Sequence, residues 1–255
     1  MARPTDTGMN RTGISAAPSR FDEMKDTMGS AAETPPGDQL QMAAVQRTYI
    51  EEGEVLGNVP PPDSLTGAVT AGKEKLKGNK PTAFVDKLGE RLAFERTGVR
   101  LYDALLTKFD VLGSWEGGPS RSDLAEIRDE ELAHFNLVKQ SMERIGVDPT
   151  AMTPSADLVG IEGSGVLKAI TDPRTTLPEA LHAQLIAERA DVDGWSLLID
   201  LAEQAGQSSL AGEFREARER EELHAERVKN WVAGGVTADM AGELEHAQQQ
   251  EETSA

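Results

Sequence analysis

The sequence contains no cysteine. That absence excludes disulfides, cysteine-ligated zinc, iron–sulfur clusters and thiol catalysis together. It is compatible with a reducing compartment. Basic residues are scarce, with 26 Lys and Arg against 44 Asp and Glu and a formal net charge of −18. A chain this acidic repels phosphate backbones and anionic lipid, which argues against nucleic acid and membrane surfaces as partners. No apolar run reaches the roughly 18 residues that a membrane helix needs. Met1 to Ser30 also lacks the apolar core of a signal peptide. The expectation is a soluble, cytoplasmic protein of 255 residues, long enough to bury a sizeable core.

Residues 1–79 differ from the rest. They carry Pro35-Pro36-Gly37 and Pro60-Pro61-Pro62 and only short apolar stretches. One candidate helix, Asp38 to Glu54, has a weak stripe of Leu40, Ala43, Ala44, Val45 and Ile50. Eight basic and 11 acidic residues give this part a balance of −3, leaving −15 for residues 80–255. Proline clusters with little periodicity predict an irregular, extended N-terminal arm.

From Pro81 onward the apolar period becomes helical. Phe84, Leu88, Leu92, Val99, Tyr102 and Leu106 predict a first helix over Thr82 to Phe109. A second is predicted from Ser122 to Ile145, stopped by Gly146 and Pro149. Thr176-Leu177-Pro178-Glu179 is a capping box with proline in the first turn, opening a third helix to Ala205. A fourth begins at Ser208 or Ser209 and is predicted to end before Gly234-Gly235, leaving residues 236–255 as a polar tail. Helices one and two, and three and four, have short connections, whereas about 30 residues, Val147 to Leu177, separate two from three. No strand-like alternation appears beyond short stretches. The expected fold is all-α: four antiparallel helices over residues 80–235 with one long crossover.

The chain has four histidines, and two of them complete the same pattern: Glu131-Leu132-Ala133-His134 and Glu221-Glu222-Leu223-His224. Residues at i and i+3 project from one helix face, so each presents a carboxylate beside an imidazole. Singly such a match is weak, because about one histidine in ten meets a glutamate at that spacing by chance. The other two helices raise its weight. Glu95 and Glu188 lie near their middles, each in a segment with Glu-Arg, Val at +4 and an aromatic at +7. Glu95 precedes Glu131 by 36 residues, and Glu188 precedes Glu221 by 33. The helix pair therefore occurs twice, a repeat with chemical content.

Glu95, Glu131, His134, Glu188, Glu221 and His224 thus form a candidate site of four carboxylates and two imidazoles. Leu92, Val99 and Tyr102 flank Glu95, and Leu181, Leu185, Val192 and Trp195 flank Glu188, so these glutamates fall inside apolar stripes. Four buried negative charges are costly unless balanced. Two divalent cations would balance them, and oxygen-rich ligands with one nitrogen per ion suit iron or manganese. Glu130, Glu219, Glu222 and Glu226 are expected on solvated faces, Tyr102 and Trp195 in core packing, and His182 and His246 away from the site.

These residues resemble the di-iron carboxylate signature of the ferritin-like superfamily, which includes ferritins, rubrerythrins and manganese catalases. The resemblance covers about residues 82–233. It implies a ferritin-like four-helix bundle, two iron ions (alternatively manganese), and redox chemistry of Fe(II) with oxygen or peroxide. It implies Glu95, Glu131 and His134 as ligands in one half and Glu188, Glu221 and His224 in the other, with the bridging carboxylates left open. The chain cannot carry the cysteine-ligated module of rubrerythrins, so catalysis would need an external electron donor. An arm of about 80 residues is not part of the ferritin pattern. Two other classes fit the same residues: a non-catalytic iron-binding protein, and a structural bundle with a vestigial site. Apolar outer positions are compatible with a homodimer.

Overall fold

The computed structural model describes residues 18–30, 39–54, 56–60 and 81–253, with side chains to Ala241. Seven helices and no strands occur among them: α1 (Pro18–Ser30), α2 (Gln39–Glu52), α3 (Pro81–Leu112), α4 (Arg121–Arg144), α5 (Pro154–Thr171), α6 (Leu177–Gln204) and α7 (Ser208–Thr253). The chain divides into two compact units, Pro4–Val55 and Leu56–Ala255 with Met1–Arg3. In the smaller unit, α2 realises the expected helix two residues shorter at its C-terminal end, with no buried residue. α1 was not expected; its short stripe of Phe21, Met24 and Met28 is too weak to read from sequence. Pro35-Pro36-Gly37 and Pro61-Pro62 lie outside the described residues.

In the larger unit, two apolar clusters sandwich a belt of buried polar residues. One cluster contains Phe84, Leu88, Val138, Met142, Trp195, Leu198 and Phe214. The other contains Leu101, Leu105, Leu124, Ile127, Leu181, Val228 and Trp231. α3 and α7 run from the first cluster to the second, and α4 and α6 run the opposite way. α4 and α6 therefore point in the same direction, and the chain must return along the whole bundle between them. It does so as α5, a helix packed against α3 and α6.

That crossover helix is absent from the sequence reading because Gly160, Gly163 and Gly165 imitate a loop. Its start is nevertheless well specified. The Thr153 side chain caps it, proline follows at the first helical position, and Asp86 of α3 accepts hydrogen bonds from the Ser155 N–H (2.9 Å) and hydroxyl (2.7 Å). Gly89 has room for no side chain, since a Cβ there would stand 2.4 Å from Thr153 Oγ1. The capping box at Thr176 forms as expected, with the Glu179 carboxylate accepting from the Thr176 N–H at 2.7 Å.

The fourth helix does not stop at Gly234-Gly235. α7 continues to Thr253, and the two glycines give it a bare surface against which Trp115 and Pro178 pack. A Cβ on Gly235 would lie 2.8 Å from Pro178 Cβ and 3.1 Å from the Trp115 ring. Gly212, earlier on the same helix, faces open space. The two positions therefore have opposite expected responses, read by urea denaturation. Gly212→Ala raises stability by about 0.5–1 kcal/mol through helix propensity. Gly235→Leu lowers it by about 1–3 kcal/mol through overpacking. Equal behaviour of the two variants contradicts this packing.

Candidate metal centre

The helical period repeats across the site in register. On α3, Arg91, Glu95, Gly98 and Tyr102 form one stripe; on α6, Gln184, Glu188, Asp191 and Trp195 take the same four spacings. On α4 the stripe is Ile127, Glu131, His134 and Val138, and on α7 it is Ala217, Glu221, His224 and Val228. All six residues expected in the site are buried and face one another. Glu95 and Glu221 are 0 % exposed, Glu131 and His224 1 %, Glu188 2 % and His134 7 %.

Glu221 is the hub. Its Oε1 is 2.5 Å from His134 Nδ1, without the angles of a hydrogen bond, and its Oε2 is hydrogen-bonded to His224 Nδ1 at 3.0 Å. His224 Nδ1 also lies 3.7 Å from Glu131 and 4.0 Å from Glu188, while His134 Nδ1 is 3.8 Å from Glu95. One potential ligand atom from each of Glu131, Glu188, Glu221 and His224 falls within 4.8 Å of all the others. Glu95, His134 and Glu221 form a second such group, and Glu95, Glu131, Asp191 and Glu221 a third.

The structure adds five residues that the sequence reading left out of the site. Asp191 is a fifth buried carboxylate. Arg91 pairs with it at 2.8 Å through Nη1 and with Glu95 at 3.0 Å through Nε. Gln184 donates to Glu188 Oε1 at 2.8 Å. Tyr102, expected only to pack, packs and also donates its hydroxyl to the same Oε1 at 2.6 Å. Glu130, expected on a solvated face, is half-buried and hydrogen-bonded to His224 Nε2 at 2.6 Å. Trp195 packs as expected, edge-on to His134 and against Phe214. Glu219, Glu222, Glu226 and His182 are exposed as expected, and the His246 side chain lies outside the described residues.

Two close approaches show how tightly the site is built. A Cβ on Gly98 would stand 2.2 Å from Glu131 Oε2, and one on Gly194 would stand 2.2 Å from Arg91 Nη1. Glycine at the first position leaves room for a carboxylate, and at the second for a guanidinium.

The electrostatics are those of anions brought together in a dry interior. Burial pushes Glu131 up to about 8, helped by repulsion from Glu221, and pushes Glu188 to about 8, helped by repulsion from Glu131. Burial likewise holds Glu95 and Asp191 well above the usual carboxylate range. Glu221 is the exception: burial opposes its charge, but its contacts with His134 and His224 overcome that and hold it at about 2. Burial lowers the His224 imidazolium, yet the surrounding Glu131 and Glu221 carboxylates raise it to about 12.

Several buried atoms make no hydrogen bond: Glu95 Oε1 and Asp191 Oδ1 face only the Arg91 guanidinium, Glu221 Oε1 and His134 Nδ1 face each other, and one further oxygen each of Glu95, Glu131 and Glu188 has no close partner. A buried polar atom without a partner costs about 1–3 kcal/mol, and a charged one more. This donor set, oxygen-rich with two imidazole nitrogens and unpartnered lone pairs turned inward, fits divalent cations.

No protein-family model matches the chain, and neither a curated protein nor a solved structure shows a significant match to it.

The electrostatics predict how metal-free protein responds to pH. Glu131 and Glu188 titrate near 4.5 when unfolded and near 8 when folded, so their neutral forms favour the fold below pH 4.5 and that support is lost as pH rises through 8. His224, raised from 6.5 to about 12, acts in the same direction over higher pH. Glu221 acts oppositely, but only below about pH 4.5. Metal-stripped protein should therefore melt at a lower temperature at pH 8 than at pH 5.5. A melting temperature that holds constant or rises over that interval contradicts the burial of these carboxylates.

Proposed function

We propose that this chain is a ferritin-like carboxylate protein that holds two iron ions, alternatively manganese, and uses them in redox chemistry of Fe(II) with oxygen or peroxide. The observation that carries the reading is the convergence of two Glu…Glu-x-x-His repeats on one buried cluster in which one oxygen each of Glu95, Glu131 and Glu188 has neither a hydrogen bond nor a close cation. Charge arithmetic agrees. Five buried carboxylates and one buried arginine leave a formal −4, which two divalent cations neutralise. The single long crossover between α4 and α6 supports the ferritin-like reading.

In this reading Glu188 and His224 would hold one ion, and Glu95 and His134 the other. Glu221, a member of all three groups of close ligand atoms, and Glu131, a member of two, would be within reach of both. When bound, such a pair of ions supplies two electrons, enough to take oxygen to hydrogen peroxide or hydrogen peroxide to water.

The chain's own residues prepare the ligands. Tyr102 and Gln184 both donate to Glu188 Oε1, which fixes the carboxylate and leaves Oε2 free. Glu130, an acceptor when ionised, takes the Nε2 proton of His224, so that Nδ1 can present a lone pair to the cluster. Trp195, Phe214 and Tyr102, all fully buried, keep bulk water from the centre. Among the described residues no helix is long and apolar enough to cross a membrane.

Two measurements test this reading. Elemental analysis after anaerobic reconstitution should find about two Fe(II) or Mn(II) per chain, with a melting temperature raised by about 5 °C or more. The Glu95→Ala/Glu188→Ala double variant should lose that rise, and oxygen uptake on adding Fe(II) should follow metal content. A full rise in the double variant excludes this ligand set. Gly98→Ala is the second check: it should fold yet bind metal at least about tenfold more weakly, because its methyl group displaces the Glu131 carboxylate.

A further inference from the structure

The two halves of the centre share their ligand types and spacings, but the residues that surround those ligands differ. Gln184 on α6 orients Glu188 as a neutral donor, whereas its counterpart on α3 is a charged Arg91 on Glu95. Tyr102 donates to Glu188, whereas its counterpart Trp195 makes no hydrogen bond through Nε1. His224 has a carboxylate, Glu130, behind its outer nitrogen.

Arg91 is a built feature. It is 4 % exposed, donates to the Asp191 backbone carbonyl at 3.1 Å, and holds its guanidinium 4.2 Å from the Phe94 ring centroid and 5.6 Å from that of Trp195. Gly194 has no side chain where Arg91 Nη1 passes. Its charge joins Glu95 to Asp191 and so already serves the acids around the second half of the centre.

We infer that the two positions load in order: a divalent transition-metal ion binds first among Glu131, Glu188, Glu221 and His224, and a second binds more weakly at Glu95 and His134, where Arg91 competes for Glu95. This rests on the dinuclear reading above. Two independent features support it. The first position brings three carboxylates and an imidazole into one group of close ligand atoms, whereas around Glu95 the group containing His134 has three residues, and the group of four has no imidazole and includes Asp191, already paired with Arg91. At either position an ion would replace an imidazole contact with Glu221, that of His224 (3.0 Å) or of His134 (2.5 Å), but at the first position the Tyr102 and Gln184 hydrogen bonds to Glu188 remain. An ion entering the second must share or displace the buried contact between Arg91 and Glu95. Arg91 is thus a positioning residue that makes the second ion the exchangeable one.

Mn(II) titrated into the metal-free full-length chain, followed by calorimetry and electron paramagnetic resonance, tests this without reference to turnover. Two binding steps separated by about tenfold or more are expected. One equivalent should give the six-line spectrum of an isolated ion, and a second should replace it with that of a coupled pair. Arg91→Gln, which gives α3 the residue of α6, should tighten the second step several-fold and bring the two together. If Arg91→Gln does not fold, His224→Ala and His134→Ala assign the steps: loss of the tighter step in His224→Ala and of the weaker in His134→Ala is expected, and the reverse overturns the order. Two ions of equal affinity, or a coupled-pair spectrum already at one equivalent, overturn the inference and leave the dinuclear reading standing. An unchanged second step in folded Arg91→Gln removes Arg91 as the cause. Uptake of fewer than two ions overturns the dinuclear reading and this inference with it.

Discussion

Five carboxylates buried at one level of a helical bundle set the conditions that the rest of this structure meets. Each would forfeit several kcal/mol of hydration if charged and unbalanced. Glu95, Glu131, Glu188, Asp191 and Glu221 nevertheless share one belt, with apolar clusters above and below it. Those clusters supply the stability that the belt consumes. Leu88, Met142 and Phe214 close one side, and Leu105, Leu124 and Leu181 the other. Arg91 and the two histidines are the only buried cationic or protonatable bases among the described residues, and each touches a carboxylate of the belt.

The repeat explains why the belt can be this dense. Four helices contribute stripes at the same spacing, and the departures from symmetry compensate one another. Where α3 has Gly98, the carboxylate of Glu131 fills the space; at the matching place α6 has Asp191 and adds a charge. That extra charge meets Arg91, which exists only on α3 and fits only because α6 has Gly194. Gly98 is thus tied to Glu131, and Gly194 through Arg91 to Asp191. For that reason the glycines belong to the buried belt as much as its charged residues do.

Legibility from sequence followed the same logic. Glu95, Glu131, His134, Glu188, Glu221 and His224 were visible because the repeat relates them and because apolar neighbours mark their faces. Arg91, Glu130 and Asp191 were not, since charged residues in so acidic a chain read as solvated. Asp191 stands two residues from the exposed Asp193, and only the helix phase counted from Glu188 separates them. Glu130 adjoins Glu131 in the run Asp129-Glu130-Glu131, where one residue of rotation divides a buried ligand from its neighbour. Glycine misled in both directions. Gly160, Gly163 and Gly165 hid α5, where packing on α3 and α6 outweighs their low helix propensity, and Gly234-Gly235 mark an end that α7 does not have, because local propensity says nothing of the Trp115 and Pro178 side chains that need a bare surface there.

The two helices with the Glu-x-x-His motifs, α4 and α7, pack against each other most sparsely of the neighbouring pairs. Their seam is bridged by ion pairs instead: Arg144 with Glu213, His224 with Glu130, and Arg227 with both Asp123 and Glu126. The pairs made by Arg144 and Arg227, largely exposed, contribute about 0–1 kcal/mol each, far less than the apolar seams of α6 with α7 or α3 with α4. Glu131, His134, Glu221 and His224 thus stand on the two helices that pack least against each other. Each of those helices is held instead by an apolar seam to another, α4 to α3 and α7 to α6. Around the buried belt, the seam of α4 with α7 is the part of the wall held by charge rather than by packing.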